Sequence, residues 1–120
     1  MNSNAAILVL DMDEALLRFS GNRQIFVKLL LRFLELNAQV REKAETVVQG
    51  GDCDEIVLFF HSIKGGAANL SAKRLAAQSA LLESLARLGD VAGIKQELPA
   101  FHALFEEVAI AAGELRDSAP

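Results

Sequence analysis

Apolar residues recur at three- and four-residue intervals along four long stretches of this chain, and no stretch shows the two-residue alternation of a half-buried strand. The first stretch follows a cap at Asn22 and carries Phe26, Leu29, Leu30, Phe33, Leu36, Val40, Ala44 and Val47. Asn37 marks a candidate kink, and Gly50-Gly51 stops the helix. Asp52 opens the second stretch, with Glu55 three residues on completing a capping-box pattern, and that helix runs to about Leu70. Ser71 reads as the cap of a third, through Leu88, closed by Gly89. Asp90 opens the last, striped by Val91, Ile94, Leu98, Phe101, Leu104, Phe105, Val108 and Leu115 as far as about Arg116. Pro99 interrupts that stripe and is expected to kink it. A short helix from Asp11 to Phe19, ended by Ser20-Gly21, precedes them all.

Four amphipathic helices with short connections predict an all-α fold, an antiparallel four-helix bundle with a short additional N-terminal helix across one end. At 120 residues and 52% apolar content the chain can bury a core as one domain, 1–120, with the core spanning about 10–116. A net charge of -4 leaves no basic stripe for nucleic acid. The lone Cys53 has no internal disulfide partner and fits a reducing compartment, so a cytoplasmic location is expected. No apolar run approaches the roughly 20 residues that span a bilayer. Ile7 to Leu10 is too short for a signal-peptide core and follows no basic residue, so direct membrane contact is not expected. No phosphate-binding nucleotide loop is present, which leaves no visible means of binding ATP, and the Glu-x-x-His signature of di-iron bundles is missing.

Chemistry concentrates at His61. Lys64 lies one turn on, and Gly65-Gly66 follow inside the helix, where each glycine costs about 1 kcal/mol against alanine. At 100° per residue, Ile56, Phe59, Phe60, Ile63, Ala67 and Leu70 form the core arc, while His61 shares an adjacent arc with Val57, Lys64, Gly65 and Ala68, flanked by Leu58. The histidine is therefore expected at the rim, among small or apolar neighbours that suit docking. Gly66 lies nearer the core and reads as a packing residue; Gly65 lies away from it and reads as an access residue. His61 stands ten residues before the turn at Ser71, about 15 Å along the helix, and the same distance back along an antiparallel partner reaches Leu81 to Glu83. Glu83 is the ionisable group there. A carboxylate accepting from Nδ1 leaves the Nε2 lone pair outward, as a nucleophilic histidine requires.

Plainer readings exist for each residue. A lone surface histidine usually has no role, Lys64 could be a solvated lysine, and Glu83 could simply pair with Arg87 one turn on. His102, beside Glu106, offers too few ligands for a metal, and Cys53 reads as a small filler.

The stretch FHSIKGGAANLSAKRL resembles the His-x-x-Lys-Gly signature of histidine-containing phosphotransfer (HPt) domains, with its small-residue and Asn-Leu continuation. LLESLARLGD resembles the following helix, and LDMDEALLRFSGNRQIFVKLLLRF the usual opening. The resemblance implies a phosphoryl carrier without kinase activity of its own, relaying between receiver-domain aspartates. It places the phosphoacceptor on His61, the supporting lysine on Lys64, the access glycine on Gly65 and the imidazole-orienting residue on Glu83. Receiver domains of response regulators, or a hybrid sensor histidine kinase, are the implied partners. Docking is expected on Val57, Leu58, Gly65 and Ala68 of a monomer. No cofactor of its own is expected; a divalent metal such as Mg2+ comes with the receiver. The location is then the cytoplasm or the cytoplasmic end of a membrane-bound hybrid kinase. The competing reading is a structural helical adaptor in which His61 is incidental. A histidine-kinase dimerisation helix fits less well, because Ser62 follows the histidine and no proline is near.

Overall fold

The computed structural model describes residues 9–118. The first eight and last two residues of the range 1–120, including Ile7 and Leu8 of the apolar run, therefore lie outside the described residues, while Val9 and Leu10 pack on the core. Six helices and no strand occur among those described: α1 (Met12–Arg18), α2 (Arg23–Leu36), α3 (Val40–Gly50), α4 (Cys53–Asn69), α5 (Lys73–Arg87) and α6 (Val91–Asp117). The chain is an all-α helical bundle.

Side-chain caps set most of the helix starts. Asp11 accepts from the Glu14 amide, Asn22 from Ile25, Asp52 from Asp54 and Glu55, and Asp90 from Gly93. α4 packs most extensively on α5 and α5 on α6, while α3 touches both α4 and α6 and α2 rests on α6. Cross-links between Gln78 and Glu97 and between Arg74 and Glu107 run in opposite chain directions, so α5 and α6 are antiparallel. Aromatic rings hold the middle of the core. Phe60 meets Phe101 edge-on at 5.0 Å, and Phe105 contacts Phe101 on one side and Phe33 on the other. α6 is one element across Pro99.

Two sequence expectations are corrected. The helix expected from Asn22 to Gly50 is two helices, because the backbone turns at 37–39. The Asn37 amide group donates to the Phe33 carbonyl at 2.8 Å, and Val40 N bonds back to Asn37 O, so local bonds replace the helical ladder. The break resets the stripe. Val40, Ala44 and Val48 face the core in α3, with Val47 only partly buried, whereas Leu29 and Leu36 of α2 are exposed.

Ser71, in turn, does not cap α5; Ala72 holds that place without a side-chain bond. Ser71 instead ends α4 with φ of +59°, the position usually given to glycine. Ala72 N bonds Ala67 O and Ser71 N bonds Ala68 O, closing the last turn. The left-handed conformation costs a serine roughly 1–2 kcal/mol. The fully buried hydroxyl offsets this by donating to Glu14 Oε1 at 2.9 Å and accepting from Arg18 Nη1 at 3.2 Å. Arg18 also donates to the carbonyls of Ala68 and Asn69, and Lys73 bridges Asp11 and Glu14. α1 is thus a polar clamp on the α4–α5 turn. It sits against that end of the hairpin.

Candidate functional site

Register brings His61 and Glu83 together. α4 buries Ile56, Phe60, Ile63 and Ala67, and Phe59 is half-buried. His61 falls outside this face at mid-helix, with 61% of its side chain exposed. α5 turns Ser79, Leu82, Glu83 and Ala86 inward. Glu83 is the unusual member, a carboxylate with only 7% of its side chain exposed.

Three side chains hold Glu83. Lys64 Nζ lies 2.9 Å from Oε1. Arg87 reaches Oε2 with two groups, Nη2 at 2.7 Å and Nε at 3.3 Å. His61 Nδ1 sits between the carboxylate oxygens, 3.3 Å from Oε1 and 3.2 Å from Oε2. An ionised carboxylate can only accept, so Nδ1 must be the protonated nitrogen, and the tautomer follows from this network. In the neutral ring Nε2 then carries the lone pair, on the edge away from Glu83. Lys64 and Arg87 against Glu83 leave one net positive charge beside the imidazole, on a chain whose overall charge is -4. An anion is drawn to this spot against the general field of the protein.

The Lys64 ammonium is the main cause of a low Glu83 pKa, with Arg87 next; burial opposes them and His61 adds a little. The carboxyl falls from its usual 4.5 to about 2. A folded-state pKa below the unfolded value stabilises the protein above the unfolded value, and that contribution is lost as pH falls. The wild type should therefore lose stability more steeply than Glu83→Gln between pH 4.5 and about 2. Denaturant midpoints measured across that range check this, and parallel pH profiles would show that Glu83 is not held as an ion.

The remaining expected residues line the same surface. Leu58 is 69% exposed, Gly65 and Ala68 are exposed, and Val57 is half-buried beside them. The two glycines separate by geometry. A Cβ on Gly65 would meet nothing within 4 Å, whereas one on Gly66 would lie 2.6 Å from the Phe33 ring. Gly66 thus lets α2 approach α4, and Gly65 leaves open space next to His61.

Two features escaped sequence reasoning. Leu88 is 80% exposed and shares a shallow groove with Cys53, Val57, Leu58 and Arg87, extending the apolar surface past the end of α5. No periodicity signals it, because it follows the last helical turn. His102 is buried and bonds Glu45 of α3 through Nε2 at 2.7 Å, rather than pairing with Glu106 on its own helix. No group of three His, Cys, Asp or Glu side chains able to hold a metal occurs among the described residues, and none of their helices is long and apolar enough to cross a membrane.

The family model described as Hpt domain matches residues 28–111, well over half of the chain, including α3, α4, α5 and most of α2 and α6. No curated protein and no solved structure matches the chain.

Proposed function

The chain belongs to the Hpt domain family, whose members are phosphocarrier modules of phosphorelays rather than kinases and work with receiver domains, and we propose that His61 is the residue that carries the phosphoryl group in this one. The observation that supports this most is the exposed imidazole with its Nδ1 against the buried Glu83 carboxylate. In that state Nε2 is the nucleophile. It attacks the phosphorus of an aspartyl phosphate on a receiver of a response regulator or hybrid sensor kinase. The Nε2–P bond forms as the P–O bond to the aspartate breaks, and the electron pair leaves on the receiver's carboxylate. Charge spreads over the phosphoryl oxygens in such a transfer, and Lys64, one turn from His61, offsets part of it. The divalent cation that accompanies the aspartyl phosphate is the receiver's own.

Glu83 has two tasks in this scheme. It selects the tautomer before attack, and it faces the positive charge that develops on the ring as Nε2 bonds to phosphorus. No proton has to move, since Nδ1 keeps its own. The reverse reaction uses the same groups, so the module carries phosphoryl in either direction.

Docking uses the surface around His61, with Leu58 as its apolar anchor and Gly65 and Ala68 leaving the ring accessible. Single-turnover transfer from a panel of phosphorylated receivers tests the proposal. At least one receiver should hand its label to the wild type as acid-labile, base-stable phosphate. Leu58→Lys should weaken binding of that receiver about tenfold or more, as loss of a central apolar anchor does, with little change in denaturant midpoint. Absence of transfer from every receiver would overturn the proposal. A Leu58→Lys protein that unfolds, or that binds normally, would move the docking face elsewhere.

A further inference from the structure

Glu83 holds two cations that look equivalent at rest and cannot remain so during the transfer. Lys64 bonds Oε1 through a single ammonium group on a flexible stem. Arg87 bonds Oε2 through two N–H groups of a rigid fork. Once a phosphoryl group sits on Nε2, its oxygens compete with Glu83 for the Lys64 ammonium. Oε1 then loses its strongest donor while the neighbouring Nδ1–H still has to point at the carboxylate.

We propose that Arg87 is a positioning residue for the transfer, pinning the Glu83 carboxylate so that Lys64 is free to change partners. The inference rests on the phosphotransfer reading of His61. Arg87 does not need to touch the phosphoryl group. It acts through Glu83 alone, one helical turn away on the same face of α5.

The arrangement explains why a surface arginine has a use here beyond an ordinary pair four residues apart. The Arg87 side chain is 60% exposed, yet its partner is nearly buried and is also the group that orients the imidazole. Two N–H bonds to one oxygen restrict rotation of the carboxylate about its last torsion. A single lysine contact would let the carboxylate turn, and the ring with it. At the distances of a phosphoryl transfer, ring displacement of about 1 Å costs on the order of a hundredfold in rate.

Nitrogen NMR of 15N-histidine-labelled protein tests the pinning without any receiver. The wild type should show His61 with its proton on Nδ1, and Arg87→Ala should shift the ring toward a mixture of tautomers. Single-turnover transfer should slow roughly tenfold in Arg87→Ala. Arg87→Lys restores the charge but not the two-pronged contact, so it should recover only part of the rate and leave the tautomer mixed. An Arg87→Ala protein with the wild-type ring spectrum and the wild-type rate overturns the inference and leaves the function intact. A wild type that accepts no phosphoryl group removes the function reading itself, a result seen before any Arg87 variant is made.

Discussion

His61→Gln should give a folded bundle that takes up no phosphoryl group. The ring lies outside the core, with 61% of its side chain in solvent, and its hydrogen bonds within the described residues go to Glu83. A glutamine amide can still donate to that carboxylate, so no buried acceptor is abandoned and the change in stability should stay within about 0.5 kcal/mol. The loss of transfer should nevertheless be complete, because no other histidine is presented. His102 is 6% exposed, and its Nε2 is already engaged by Glu45. Labelling by a phosphorylated receiver, read beside a denaturant melt, separates the two effects. Full labelling of the variant would place the acceptor on another side chain.

Gly65→Gln should raise stability and block transfer in the same protein. Glutamine is the better helix former by somewhat less than 1 kcal/mol, and nothing within 4 Å of a Cβ at this site opposes it. Yet in the proposed docking mode the side chain projects into the space through which a receiver aspartate approaches His61. Displacing the reacting groups by about 1 Å costs around a hundredfold in rate, and a glutamine intrudes further than that. The adjacent glycine supplies the control. In Gly66→Ala the new Cβ meets Phe33 ring carbons at 2.6 and 2.9 Å, and that ring is packed against Phe105. Overpacking of this kind costs about 1–3 kcal/mol, offset by about 1 from the loss of a helical glycine, so the variant should be the less stable of the two. Normal transfer by Gly65→Gln would show that this face is not the approach route. Equal stabilisation by both substitutions would show that Phe33 gives way freely.

The parts of the fold legible in the sequence are those decided within a turn or two of helix. Asp52 precedes a run whose core arc is set by 3.6-residue spacing, and Ile56, Phe60, Ile63 and Ala67 are buried accordingly. The same spacing put His61 off the core, and because a tight turn forces the next helix back alongside, counting from Ser71 reached Glu83. Bonds formed across the fold were not legible. Asn37 signalled a disturbance, but the stripe resets after it only because its side chain bonds the Phe33 carbonyl and α3 takes a new direction. Ser71 carried the chemistry of a cap and became a left-handed helix end, because Glu14 and Arg18, more than fifty residues earlier, hold its hydroxyl. Glu45 and His102 meet through the packing of α3 on α6, which no local pattern announces. Arg87 was visible as a partner for Glu83. Its two-pronged grip on Oε2, while Lys64 takes Oε1, appears only in three dimensions.

In the proposed transfer, phosphoryl sits on one nitrogen of one residue. Phosphorus and nitrogen NMR of the 15N-histidine-labelled protein, charged by a phosphorylated receiver, tests it directly. The expected result is a single phosphoramidate, coupled to Nε2 of His61, with the proton retained on Nδ1. A phosphate on His102, on Nδ1 of His61 or in an acid-stable ester, or no bound phosphate at all, would contradict it.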